Sequence, residues 1–121
     1  LSGAPIPLLW SAAAQASGVI EVYPAATLNA HGVQSTGYKK PDQLSARRLI
    51  AAELEARVEG LGERCERSSD EFDACICLLS ALDFLAGVCA PAPADQRAVV
   101  QREGWIWVRE SPERRRGSAL L

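Results

Sequence analysis

Hydrophobic and polar positions follow two periods along this chain. Val19–Tyr23 reads VIEVY, rich in β-branched and aromatic residues, and alternation predicts a strand ended by Pro24. On it, Val19, Glu21 and Tyr23 share one face and Ile20 and Val22 the other. Gly104–Val108 (GWIWV) predicts a second strand, with Trp105 and Trp107 opposite Ile106 and Val108. Between them the period becomes helical. Pro41 and Asp42 open a helix running to about Glu59, with Leu44, Ile50, Leu54 and Val58 as its apolar stripe and Gly60 and Gly62 as its stop. Arg47, Arg48, Glu53, Glu55 and Arg57 are expected mostly outside. A second helix is expected from Asp70 to Leu85, with Ser68 or Ser69 as N-cap and Ser68 and Glu71 spaced as a capping box. Beyond Asp73 it is apolar nearly all round (Ala74, Cys75, Ile76, Leu78, Leu79, Leu82, Leu85), which predicts a central, buried helix ended by Gly87.

The rest is less patterned. A short helix is expected around Leu8–Ala16, a helical turn over Ala25–His31, and loops at Gly32–Lys40, Glu63–Ser69 and Pro91–Asp95. The order strand, helix, helix, strand predicts an α/β fold. Two strands do not make a stable sheet alone, so further strands are expected in another segment or another chain. Residues 1–18 form an ill-defined N-terminal segment, 19–108 the folded part, and 109–121 a mobile tail.

Composition narrows the function. The chain has 121 residues, 48% hydrophobic and 23% charged, an ordinary globular balance for one small domain. Its net charge of −2 argues against a strongly basic nucleic-acid binder but allows a carboxylate-based nuclease with a local basic patch. No apolar run reaches membrane-spanning length, and the N-terminus lacks the basic start of a signal peptide. The chain contains no Met, so it is expected to begin inside a longer reading frame. Cys65, Cys75, Cys77 and Cys89 form no C-x-x-C pair and are joined by one His, too few for a usual zinc site. They are expected to be reduced thiols of a cytoplasmic protein.

Three acids break the pattern. Glu21 interrupts an apolar strand, and Asp70 and Asp73 lie three apart at the start of an apolar helix, on one face. A strand carboxylate facing helix-start carboxylates is a way to hold Mg2+, which prefers hard oxygen ligands. Two such ions would activate a water and stabilise the leaving oxygen of a phosphodiester. The plainer alternatives are that Asp70 and Asp73 serve the helix dipole and free N–H groups, and that Glu21 pairs with an arginine such as Arg47 or points to solvent. Tyr38, Lys39 and Lys40 are candidates for phosphate contact, against the alternative of a solvated basic loop. His31 reads as a loop residue, and Trp105 and Trp107 as packing residues. The chain has no Gly-rich phosphate loop, G-x-S-x-G elbow or Cys–His pairing.

Four segments carry a resemblance: VIEVYPAATL (Val19–Leu28), STGYKK (Ser35–Lys40), DEFDACICLLSALDFLAG (Asp70–Gly87) and EGWIWV (Glu103–Val108). Their order and spacing resemble the C-terminal half of a bacterial and archaeal family of unknown function, family 429, thought to be RNase H-like nucleases. The resemblance implies an RNase H-like α/β fold, shared with Holliday-junction resolvases, here lacking its N-terminal strands. It also implies a Mg2+ or Mn2+ site. Glu21 would match the fourth-strand acid, and Asp70 and Asp73 the helix acids, Asp73 being the better matched. Residues 1–18 hold no Asp or Glu, so the first-strand acid of that pattern is missing here. The expectation is therefore a metal-dependent nuclease domain acting on nucleic acid, incomplete without an N-terminal half. The rival is a non-catalytic binding or assembly module, with a homodimer formed by pairing sheet edges. A phosphotransferase-like relative ranks last, for want of a Gly-rich phosphate-binding segment.

Overall fold

The computed structural model of the chain describes Leu9 and residues 18–111. The rest of the helix expected around Leu8–Ala16, and the tail from residue 112, lie outside the described residues. Among the described residues five α-helices dominate: α1 (Pro24–Ala30), α2 (Leu44–Leu54), α3 (Leu61–Cys65), α4 (Ser69–Leu85) and α5 (Arg97–Glu103).

Local chemistry explains the helix limits. Pro24 opens α1, where its missing N–H costs nothing. At the other end Gly32 takes φ +74°, Gly32 N donates to Asn29 O and Val33 N to Leu28 O. The end of α4 repeats this arrangement: Gly87 has φ +69°, its N–H donates to Phe84 O, and Val88 N donates to Asp83 O. Both are Schellman stops, which need a residue free to adopt positive φ. Ser68 caps the start of α4, its hydroxyl accepting from Glu71 N at 3.1 Å. The helix expected to reach Glu59 stops at Leu54. Glu55 turns back to accept from Gly60 N (2.8 Å) and Gly62 N (3.1 Å), Gly60 takes φ +80°, and α3 starts at Leu61. Part of the expected Glu63–Ser69 loop is therefore helical, and α5 occupies a stretch given no element from pattern.

The α/β expectation is overturned. Among the described residues there is no strand and no sheet, so the chain is mainly helical and not of the RNase H-like α/β class. VIEVY and GWIWV meet at one parallel bridge, Glu21 to Ile106, and Cys89 meets Arg109 at one antiparallel bridge. The physical reason is pairing. A helix satisfies its hydrogen bonds within a segment, whereas a strand needs a neighbour for several successive residues. Here Trp107 N donates to Glu21 O and Leu9 N to Val19 O, and no longer ladder follows. High β-propensity gives extended backbone without a sheet.

The main core joins Leu28, Val33, Tyr38, Ile50, Ala51, Leu54, Leu61, Phe72, Ile76 and Leu79, so α1 to α4 all contribute. A second cluster forms where Trp107, fully buried, meets Phe84 edge-on at 4.8 Å and donates its indole N–H to Leu9 O at 2.9 Å. Two burial expectations also change. Arg47 is buried rather than outside, and α4 is not buried all round, since Leu78, Leu82 and Leu85 face outward.

Candidate functional site

The site with the most convergent chemistry lies at the start of α4. Asp73, on the second turn of that helix, accepts a hydrogen bond from the Tyr38 hydroxyl at 3.0 Å and forms a short ion pair with Lys39. Its side chain is only 22% exposed, while that of Lys39 is 57% exposed, so the pair lies at the rim of the core with its cation toward solvent. Tyr38 is held edge-on against Phe72 at 5.3 Å, and the Lys39 ammonium lies 5.1 Å from the Tyr38 ring centroid. Burial, helped by the adjacent Asp73 carboxylate, pushes the Tyr38 phenol well above its ordinary pKa. Tyr38 therefore stays protonated and donates. Burial and Asp73 also push the Cys77 thiol up, against a smaller opposing effect of Lys39.

Arg47 explains why this loop holds its shape. Its guanidinium donates to Tyr38 O at 2.7 Å and to Lys40 O at 2.9 Å. A buried charge needs such partners, and Arg47 obtains them from the loop that carries Tyr38, Lys39 and Lys40. Lys40 is exposed, and its backbone N–H donates to Gln43 Oε1 at 3.0 Å.

The other two expected acids are placed differently. Asp70 is exposed in the first turn of α4. Glu21 turns its carboxylate to the Gly104–Trp105 turn and accepts from Trp105 N at 2.9 Å. Gly104 has φ +84°, and a Cβ there would overlap the Glu21 carboxylate. Among the described residues no group of three His, Cys, Asp or Glu side chains is arranged to hold a metal ion. Glu21, Asp70 and Asp73 therefore do not fit Mg2+ or Mn2+ as they stand: one is bonded to a backbone N–H, one projects alone, and one already has an ammonium partner.

A second polar cluster was missed from pattern. Asp83, 5% exposed, accepts from His31 Nε2 at 2.7 Å and from Arg109 at 2.8 Å. A carboxylate only accepts, so Nε2 carries the proton. One turn back, the hydroxyls of Thr27 and Ser80 lie 2.6 Å apart, both buried. These pairs run along the contact between α1 and α4 and tie in the Arg109 segment. The signal was available: Phe72, Ile76, Leu79 and Asp83 share one face, so an acid at 83 points into the core. His31 lies in the turn that follows α1, but its side chain is buried as a partner of Asp83. With side chains at 1% and 7% exposure, His31 and Asp83 are built for structure rather than for meeting a ligand.

No helix of the described residues is long and apolar enough to cross a membrane. No curated protein and no solved structure matches the chain. One family model matches over residues 8–98, most of its length, and the chain belongs to that family, Protein of unknown function (DUF429).

Proposed function

We propose that the chain carries part of a nuclease site for hydrolysing nucleic-acid phosphodiesters, with Asp73, Tyr38 and Lys39 at its centre. One observation carries this reading: a helix carboxylate and a tyrosine–lysine pair, 34 or 35 positions away in the chain, meet at a half-open rim. Lys39 and the exposed Lys40 supply cations for a backbone phosphate. Tyr38 fixes one Asp73 oxygen. When Lys39 swings to a phosphate, Asp73 is left to take a proton from an attacking water. The water oxygen bonds to phosphorus, the P–O bond to the leaving strand breaks, and solvent protonates the leaving oxygen. The acids do not fit a resident Mg2+ or Mn2+ ion, so this chemistry uses the chain's own groups. A cytoplasmic setting goes with this reading, supported by the free thiols of Cys75, Cys77 and Cys89.

The test uses end-labelled single- and double-stranded DNA and RNA oligonucleotides. Lys39→Ala should weaken binding about tenfold, the value of one charge-assisted contact, and Asp73→Asn should abolish cleavage while preserving binding. Equal binding by Lys39→Ala, or equal cleavage by Asp73→Asn, would sink the proposal. Running each assay with EDTA, Mg2+ and Mn2+ shows whether a cation displaces Lys39 from Asp73. A second reading, a non-catalytic binding module, is favoured by that same Lys39–Asp73 pair, which leaves the carboxylate already neutralised. It expects oligonucleotide binding without cleavage under any of the three conditions.

A further inference from the structure

Helix α4 has two opposite faces. Phe72, Ile76, Leu79 and Asp83 are buried against the core, whereas Leu78, Leu82 and Leu85 are 62%, 51% and 80% exposed. At about 100° per residue, these leucines fall in one stripe together with Ala74 and Glu71. Leucines spaced four and three apart on the solvent side of a helix are the pattern of a packing seam.

The stripe is not uniform. Its N-terminal half borders a recess of about 420 Å3 between α3 and α4, lined by Arg64, Arg67, Glu71, Ala74, Cys75 and Leu78. Its C-terminal half carries the protruding Leu82 and Leu85. Knob and hole therefore lie on the same helix, at opposite ends of one stripe. A surface with both is complementary to itself under a twofold rotation, which runs the two helices antiparallel.

We infer that this face pairs with a second copy of the chain, α4 against α4 in antiparallel register about Leu78. That register brings Leu78 of both copies together at the axis. It sets Leu82 over Ala74 of the second copy and Leu85 over Glu71 of the second copy, so both leucines enter the recess. The ends agree in charge. Arg64 and Arg67, beside the start of α4, reach the C-terminal end of the opposite α4, whose last turn has no basic residue. That end carries the partial negative charge of the helix dipole and favours a cation. The Arg67–Glu71 pair, open at 3.9 Å, forms the rim that closes over Leu85. The pairing uses helices throughout, in place of the sheet edges that the described residues lack.

A stable interface buries roughly 800 Å2 per partner, and one helix stripe with its recess supplies less. The dimer should therefore depend on concentration, with a dissociation constant on the order of tens of micromolar. Sedimentation velocity on the full chain, from about 1 µM to about 1 mM, should show the average mass rising from monomer to dimer. Leu82→Glu should raise the dissociation constant at least tenfold with an unchanged circular dichroism spectrum; if it does not fold, Leu85→Glu replaces it. Mixing Ala74→Lys with Leu82→Glu should associate more tightly than either alone, because the register sets the introduced lysine opposite the introduced glutamate. A monomer throughout the range would overturn the proposal, as would a dimer indifferent to Leu82→Glu. A sensitive dimer with no gain on mixing would overturn the register.

Discussion

Two carboxylates ten residues apart on α4, Asp73 and Asp83, have nearly the same partners on paper: a cation and a second hydrogen-bond donor each. Their surroundings separate them. Asp73 lies at a rim, and its cation, Lys39, is a flexible side chain more than half exposed. Asp83 is buried between His31 and Arg109, which come from segments far apart in the chain. An exposed ion pair is screened by water and contributes little to stability, so its members are free to exchange partners. A buried one is costly to break, because removing one member strands the other in a dry site. The first geometry suits contact with a ligand, and the second fixes how elements sit.

The difference can be broken most forcefully at Asp83. Asp83→Ala should cost about 3–5 kcal/mol, much of what a small domain has, read as a large fall in urea midpoint. Asp73→Asn should cost less than about 1 kcal/mol by the same measurement. If the two substitutions cost the same, burial is not what separates the sites. A third difference concerns the thiol beside the buried acid. Burial, then the Asp83 carboxylate, pushes Cys89 from 9.0 up to about 11, partly offset by Arg109. The folded chain thus keeps this proton while the unfolded chain loses it. The resulting stability is complete below pH 9 and declines as pH rises toward about 11. Cys89→Ser should remove that decline, and an unchanged alkaline slope would assign it elsewhere.

Much of the Asp73 site was legible because its signals are local. Asp73 closes the acidic start of a helix that is apolar beyond it, and Tyr38-Lys39-Lys40 is a basic step in a loop beside Gly37. That these segments meet needed the structure, because Arg47, expected at the surface, organises the loop from below. The capping of α4 by Ser68 and its end at Gly87 were legible for the same local reason. The lack of a sheet among the described residues was not, since Val19–Tyr23 and Gly104–Val108 have strand composition while strand formation depends on distant neighbours. The inward direction of Asp83 was legible from the face it shares with Phe72, Ile76 and Leu79, but its partners His31 and Arg109, distant in the chain, needed the structure.

Glu21 and Gly104 carry a consequence for how this family can vary. The Glu21 carboxylate fills the volume that a Cβ at position 104 would take, and the backbone there has φ +84°. The constraint between the two positions, 83 residues apart, therefore runs one way. A lineage that replaces Gly104 must both shorten or redirect the side chain at 21 and change the backbone at 104, whereas one that shortens Glu21 keeps its glycine without a clash. Sequences that replace Gly104 while keeping Glu21 should be the rarest combination.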